Sequence, residues 1–88
     1  MTSQKVTILN ETGLHARPAS MFVQEAGKYN SEINIIKDDK TINAKSIMGI
    51  MAAGLAKGTE ITIEAEGDDE QAAVDALVAL VESKFGEE

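Results

Sequence analysis

The chain has 88 residues, 43% of them hydrophobic and 26% charged, which is ordinary for a globular protein, and we expect residues 1–88 to form a single domain. It contains no cysteine and one histidine, which excludes zinc sites, iron–sulfur clusters and disulfide scaffolds; we expect no metal and no cofactor. Its net charge is −7, with eight basic residues scattered among fifteen acidic ones, which argues against direct nucleic-acid binding.

The first two predicted elements are a strand and a helix. The run at residues 6–9 mixes β-branched and other residues and predicts a strand, which the turn-forming residues 10–13 end. A helix is predicted from Ala16, with Gly27 as its stop, because apolar residues follow the spacing of one helix face. These residues are Ala19, Phe22, Val23 and Ala26. Pro18 fits the first turn, where N–H groups have no intrahelical acceptor.

A β-hairpin and a short helix are predicted next. Ile33 and Ile35 alternate with polar residues, residues 38–40 form a turn, and residues 41–43 return as the second strand of the hairpin. Ser46 then stands at the N-cap position of a short helix over residues 47–51.

The last predicted elements are a strand and a helix. Residues 61–65 alternate between apolar and polar and form the clearest strand signal in the chain. A capping box starts the final helix, with Asp68 as N-cap and Gln71 at N3. Its apolar stripe consists of Val74, Leu77, Val78, Val81 and Phe85. The order β-α-β-β-α-β-α predicts an α+β fold, an antiparallel sheet with helices on one face.

We expect a cytoplasmic protein without membrane insertion. The first residues lack the apolar core of a secretory signal. The longest apolar stretch, residues 47–56, is interrupted by glycine and is about half the length of a membrane span.

His15 stands where the first helix begins, in a segment that also contains Arg17. An unperturbed histidine has a pKa of about 6.5, so neutral imidazole offers a nucleophilic lone pair near physiological pH. Arg17 and the unpaired amides of a helix start both suit an anion. His15 is either a capping or part-buried histidine without chemistry, or the carrier of a phosphoryl group. Arg17 and the helix start favour the carrier.

Ser46 also has two interpretations. As an N-cap its hydroxyl contributes about 1 kcal/mol, which is enough to explain a serine at this position. As a phosphorylation site it would gain about −1.5 to −2 charges, which a helix start tolerates. Residue chemistry alone favours the cap.

Met21 is predicted to be exposed, on the same helix face as Arg17 and Gln24 and away from the buried stripe. Methionines more often belong to the core, but an exposed one beside a phosphate-binding arginine is typical of an adaptable docking patch. The same two interpretations apply to Met48 and Met51, which neighbour Ile47.

Two segments resemble one known family. Residues 13–19 (GLHARPA) are similar to the active-site signature of the HPr family, the histidine-containing phosphocarriers of the bacterial phosphoenolpyruvate:sugar phosphotransferase system. Residues 45–49 (KSIMG) resemble the regulatory serine site of that family, in the form common in Gram-positive bacteria. The resemblance extends over the whole chain, in both length and order of elements.

The resemblance implies an open-faced β-sandwich, with a four-stranded antiparallel sheet in the order 1-4-2-3 and three helices on one face. It implies that Nδ1 of His15 accepts a phosphoryl group from phosphorylated enzyme I, ultimately from phosphoenolpyruvate, and passes it to a sugar-specific enzyme IIA. Arg17 and the backbone amides of Ala16 and Arg17 would hold the phosphate. The chain would then be a stoichiometric relay and a monomer.

The resemblance also implies regulation at Ser46 by a bifunctional HPr kinase/phosphorylase. The Ser46-phosphorylated protein would act as corepressor for a catabolite-control transcription factor. The implied docking surface consists of Ser20, Met21, Gln24, Ile47, Met48 and Met51.

The chain departs little from the family pattern. Thr12 and Ser20 stand where Asn or Ser, and Thr, are common, so hydroxyl groups remain at both positions. A carrier-like paralogue that lacks the active histidine is excluded by His15. A nitrogen-branch paralogue usually lacks the pattern around Ser46. The other open alternative is a purely regulatory binding module that acts through Ser46.

Overall fold

The structure, a computed structural model, describes residues 1–86. The elements are β1 Thr2–Thr7, α1 Ala16–Ala26, β2 Glu32–Lys37, β3 Lys40–Asn43, α2 Ile47–Ala52, β4 Glu60–Glu66, α3 Glu70–Glu82 and a 3-10 turn Lys84–Gly86. The predicted order of strands and helices is confirmed. Within these residues, no helix has the length and apolar content needed to cross a membrane.

The four strands form one antiparallel sheet in the order β1-β4-β2-β3, which confirms the topology that the resemblance implies. The register pairs Val6 with Ile61, and places Ile35 between Ile63 and Ile42. Since side chains alternate between the two faces of a strand, these five apolar residues share one face. α3 packs against β1 and β4, α2 packs against β3, and α1 packs against both other helices.

The centre of the core, between the sheet and the helices, is completely buried from solvent. Ala19 and Phe22 from α1 and Leu77 from α3 have no exposed surface. Two polar residues are buried with this core in the described part of the chain, Asn10 and Ser31, each 1% exposed. Because a buried polar group needs hydrogen-bond partners, both residues mark places where the chain is held by specific contacts.

β1 ends at Thr7, two residues before the predicted end at Leu9. Ile8 remains fully buried, but its backbone is bonded to the segment after α2. Its N–H donates to the Thr59 carbonyl at 2.9 Å, and its carbonyl accepts from the Gly58 N–H at 2.7 Å. Gly58 has φ +88°, which is outside strand geometry. The segment that leads to His15 therefore leaves the sheet at this point.

The start of β1, the hairpin turn and the end of α3 also differ from the prediction, and β1 begins at Thr2 rather than at residue 6. The hairpin turn has two residues, 38–39, because Lys40 already pairs in β3. Phe85 was predicted on the helical stripe, but α3 ends at Glu82 and Phe85 lies in the following turn. Lys84 and Phe85 have left-handed backbone conformations, with φ of 59° and 55°. These conformations end the helix and leave the Phe85 ring buried in the core.

The predicted capping box at the start of α3 is wrong. The N-cap is Asp69 rather than Asp68, and its carboxylate makes no capping hydrogen bond, while Gln71 bonds along its own helix. The Asp69 carboxylate instead accepts from the backbone N–H groups of Asn30 at 2.8 Å and Ser31 at 2.9 Å, and from the Ser31 hydroxyl. The carboxylate thus accepts three hydrogen bonds from the residues just before β2 instead of one from a helix amide. These bonds connect the start of α3 to the start of β2.

These bonds predict a pH-dependent contribution to stability. The Ser31 hydroxyl and the Asn30 amide lower the pKa of Asp69 below its ordinary 3.8. Because the folded pKa is the lower one, the stabilisation is complete above the ordinary value and is lost as the pH falls through the folded pKa. We expect Asp69→Asn to lower the free energy of unfolding at pH 7, and the difference from wild type to shrink below about pH 4. Urea unfolding between pH 7 and pH 3 measures this, and a difference that stays constant over the range contradicts it.

Candidate functional site

His15 occupies the N-cap position of α1. Its backbone is extended, with φ −81° and ψ −168°, and its carbonyl accepts the Ala19 N–H at 2.8 Å. The side chain makes no capping hydrogen bond, and the residue is exposed. The imidazole is therefore open to solvent at the start of a helix, where a nucleophile can meet an incoming group.

The first turn of α1 leaves two backbone N–H groups without a helical acceptor, those of Ala16 and Arg17. Pro18 has no N–H, and the Ala19 N–H already donates to His15. None of the ion pairs in residues 1–86 involves Arg17, and the first turn holds no acidic residue. Two amides and the positive end of the helix dipole thus lie at the helix start that His15 occupies, and Arg17 follows His15 by two residues; each of these groups suits an anion.

The loop before His15 is held by buried contacts. Gly13 has φ +63°, and a Cβ at this position would lie 2.4 Å from the Leu55 carbonyl oxygen, so only glycine fits. Leu14 is buried, and its N–H donates to the same carbonyl at 2.7 Å. The Asn10 Nδ2 donates to the Gly13 carbonyl at 2.8 Å. Sequence reasoning treated residues 10–13 only as a turn, because burial of a loop asparagine has no local sequence signal.

A shallow cleft of about 210 Å³ opens beside His15. Its other lining residues in the described part of the chain are Thr12, Leu14, Met51 and the segment 54–56, and none of these carries a carboxylate. Met51 is the predicted docking residue that lines the cleft together with His15. An ion pair lies close by in sequence, between Lys57 and Glu11 at 2.6 Å. The hydrogen bond and charge of Lys57 lower the pKa of Glu11.

Ser46 is the N-cap of α2, as predicted. Its Oγ accepts the Gly49 N–H at 3.1 Å, and the residue is half-buried. A Cβ on Gly49 would approach this Oγ to 3.2 Å, so glycine leaves space around the hydroxyl. Below it, Ile50 is fully buried and fixes the short helix to the core.

α2 presents large apolar side chains to solvent. Met48 is 79% exposed, Met51 43% and Ile47 39%, and the helix carries no charged residue. In a chain with a net charge of −7, this uncharged apolar surface stands out as a place for contact with another protein.

On α1 the predicted docking residues are less uniform. Gln24 is exposed, Ser20 is half-buried, and the Gln24 Nε2 lies 3.5 Å from the Ser20 Oγ. The prediction that Met21 is exposed is wrong in part, because it is half-buried and packs against the core. α1 packs against both α2 and α3, so residues beside its buried stripe are partly covered as well.

The chain belongs to the HPr phosphocarrier family: residues 2–83 match the family model described as the PTS HPr component phosphorylation site. HPr-like protein Crh of Bacillus subtilis is 49% identical over 84 residues, which are 96% of this chain and 99% of the relative. Phosphocarrier protein HPr of Treponema pallidum is 44% identical over 88 residues, which are 100% of both chains.

Solved structures agree with the fold. The crystal structure of HPr-C-His from Thermoanaerobacter tengcongensis is 57% identical, with a TM-score of 0.97 over 100% of this chain and 99% of that chain. Phosphocarrier protein HPr from Bacillus anthracis is 49% identical, with a TM-score of 0.87 over 91% of this chain and 95% of that chain.

Proposed function

We propose that the chain is a phosphocarrier of a sugar phosphotransferase system. Nδ1 of His15 accepts a phosphoryl group from the phosphorylated histidine of enzyme I, which receives it from phosphoenolpyruvate, and passes it to a sugar-specific enzyme IIA. The observation that carries the proposal is the exposed imidazole at the N-cap of α1, followed by the Ala16 and Arg17 amides, which have no helical acceptor, and by the Arg17 side chain, which forms no ion pair within residues 1–86. In each transfer one nitrogen–phosphorus bond forms while another breaks.

The cleft favours a relay over an independent enzyme. Hydrolysis of a phosphohistidine needs a group that activates water, and among residues 1–86 those that line the cleft beside His15 offer no carboxylate and no second histidine for this role. A phosphoryl group on His15 would therefore persist until a partner accepts it. The partner has to supply the rest of the transition-state charge stabilisation.

The docking surface of this proposal combines both helices next to His15. Ser20, Met21 and Gln24 come from α1, and Ile47, Met48 and Met51 come from α2. We place the protein in the cytoplasm, where it meets enzyme I and enzyme IIA as a monomer. The solved structures of an HPr dimer from Thermoanaerobacter tengcongensis and of the Crh dimer make a dimer the competing state, and sedimentation of the purified chain distinguishes monomer from dimer.

Incubation with enzyme I and phosphoenolpyruvate tests the proposal. We expect one phosphate per chain, lost in acid and stable in alkali, as is typical of a phosphohistidine. Intact-protein mass spectrometry before and after acid treatment measures it. Failure of catalytic enzyme I to label the folded chain overturns the proposed function.

We propose that Ser46 is a regulatory site for an HPr kinase/phosphorylase, and that its phosphorylated form is a corepressor for a catabolite-control transcription factor. The half-buried hydroxyl lies at the edge of the uncharged α2 surface. Negative charge there would repel an acidic partner and slow transfer to His15. We expect Ser46→Asp to lower the rate of phosphorylation by enzyme I about tenfold, and Ser46→Ala to keep it. Equal rates for Ser46→Asp and wild type at low ionic strength contradict the electrostatic account.

The similar solved structure of Crh, described as the Bacillus subtilis catabolite repression HPr, favours one alternative, a purely regulatory binding module that acts through Ser46. For that module, Ser46→Asp changes the affinity for the transcription factor while His15→Ala leaves sugar uptake unchanged. A nitrogen-branch carrier is the other alternative, and it would be labelled by the enzyme I of that branch in preference.

A further inference from the structure

We infer that Asn10 is a positioning residue for His15: its side-chain amide closes the loop that presents the imidazole. The expected effect on the rate of phosphoryl transfer rests on the proposed phosphocarrier function. The contacts themselves are independent of that function.

Asn10 bonds both polar groups of the Gly13 backbone. Its carbonyl accepts the Gly13 N–H at 3.1 Å, and its Nδ2 donates to the Gly13 carbonyl at 2.8 Å. Nδ2 also donates to the Thr12 Oγ1 at 3.2 Å. One buried residue therefore holds the loop of residues 10–13 in a single conformation.

The closed loop is fixed in turn to the segment after α2. The Leu14 N–H donates to the Leu55 carbonyl at 2.7 Å, and the Gly13 Cα packs so closely on that segment that no side chain fits between them. Residues 13 and 14 thus set the direction in which the backbone enters His15. Since the His15 side chain makes no capping bond of its own, its placement depends on this loop.

Both side-chain hydrogen bonds of Asn10 are donated by its Nδ2. The residue is 1% exposed, and its Oδ1 has no hydrogen-bond partner among the described residues. The Gly13 carbonyl can only accept a hydrogen bond, so Nδ2 must be the atom that faces it. A change that removes only this donor, with no change of size, would open the loop.

A second contact of the same loop provides a control. Glu11 and Lys57 form an ion pair at 2.6 Å, but their side chains are 73% and 52% exposed. Exposed pairs of this kind contribute little. Glu11→Gln therefore changes a side chain of the same loop but leaves the Asn10 hydrogen bonds in place. Asn34→Ala makes the same Asn-to-Ala change at a half-buried position in β2, away from the loop.

The test is phosphorylation by enzyme I at varied concentrations of the carrier. Displacement of a reacting group by about 1 Å can cost about 100-fold in rate, so we expect Asn10→Ala to lower kcat by about 10- to 100-fold. KM should stay within about twofold, because the docking residues on α1 and α2 are untouched. Glu11→Gln and Asn34→Ala should behave as wild type. A folded Asn10→Ala protein with wild-type kcat overturns the inference.

If the alanine variant does not fold, Asn10→Asp tests the same hydrogen bond with a side chain of the same size. The new carboxyl group has no donor when ionised, but its protonated form has one O–H that can reach the Gly13 carbonyl. Among residues 1–86, the ionisable groups around this loop are Glu11, His15 and Lys57, with Lys84 near Glu11. Because residue 10 is 1% exposed, burial raises the pKa of the new carboxyl group, so its protonated form becomes more populated as the pH falls towards 6. Comparison with wild type at each pH removes the titration that both proteins share. We expect the ratio of kcat for the variant to kcat for wild type to rise as the pH falls from 8 to 6, and a flat ratio overturns the inference.

One measurement needs no partner protein and separates this inference from the proposed function. His15 is the single histidine of the chain, so its modification by diethylpyrocarbonate reports on one imidazole. We expect Asn10→Ala to change the modification rate at least threefold while the two control variants do not. If wild type is not labelled by enzyme I but this rate still changes, the proposed function fails and the positioning role stands. An unchanged rate together with an unchanged kcat removes the positioning role alone.

Discussion

Replacement of His15 by alanine is expected to abolish acid-labile phosphorylation by enzyme I and phosphoenolpyruvate. The variant loses the only imidazole in the chain, and no other residue in the cleft can form a nitrogen–phosphorus bond. Stability should change little, because the side chain is exposed and makes no capping hydrogen bond. We expect a free energy of unfolding within about 0.5 kcal/mol of wild type, as is usual for such surface positions.

Ser46→Ala is the matched control for this experiment. It removes the other proposed phosphate acceptor and should retain full labelling by enzyme I. Labelling of His15→Ala at the wild-type level would mean that the phosphate enters elsewhere, and the role proposed for His15 would be wrong.

Gly13→Ala is expected to destabilise the protein by about 3 kcal/mol and to slow phosphoryl transfer as well. A side chain at φ +63° costs about 1–2 kcal/mol by itself. The new Cβ would also lie 2.4 Å from the Leu55 carbonyl oxygen and 2.8 Å from the Ala56 Cα, so backbone on one side or the other has to move. Because residues 13 and 14 lead directly into His15, this movement displaces the imidazole.

Gly54→Ala separates the cost of a positive φ from the cost of the steric clash with residues 55 and 56. Gly54 has nearly the same conformation, with φ +65°, but a Cβ there would meet nothing within 4 Å. We expect it to cost about 1–2 kcal/mol, from conformation alone. Urea unfolding of both variants measures the difference. Equal destabilisation would show that the close approach to Leu55 carries no cost.

The sequence predicted the elements well because their signals are local. The alternation at residues 61–65 and the spacing of Ala19, Phe22 and Ala26 follow from burial on one face, and the structure buries each of these residues on that face. The N-cap role of Ser46 is local too, since donor and acceptor are three residues apart. His15 and Arg17 are adjacent to the helix start in sequence, so their juxtaposition needed no tertiary information.

What the sequence did not predict depends on contacts between distant segments. The predicted N-cap was Asp68, whereas Asp69 occupies that position and its carboxylate binds Asn30 and Ser31, which lie 39 and 38 residues away. Asn10 looked like an ordinary turn residue until the fold buried it. Met21 was predicted to be exposed because the periodicity of α1 shows its buried stripe but not the neighbouring helices. With those helices in place, Met21 packs against the core.

If His15 carries a phosphoryl group as proposed, Pro18 affects how tightly that group is held. A terminal phosphoryl group has three oxygens that accept hydrogen bonds, and an ordinary first helical turn would offer it a third amide. Proline removes that donor, so the phosphate site proposed at the Ala16 and Arg17 amides would have two amide donors rather than three. A relay has to release its cargo as readily as it takes it, because an intermediate far lower in free energy than donor and acceptor would trap the group. Under the proposed function, the missing amide would keep both transfers close to reversible, so the supply of donor and acceptor would set the direction of transfer.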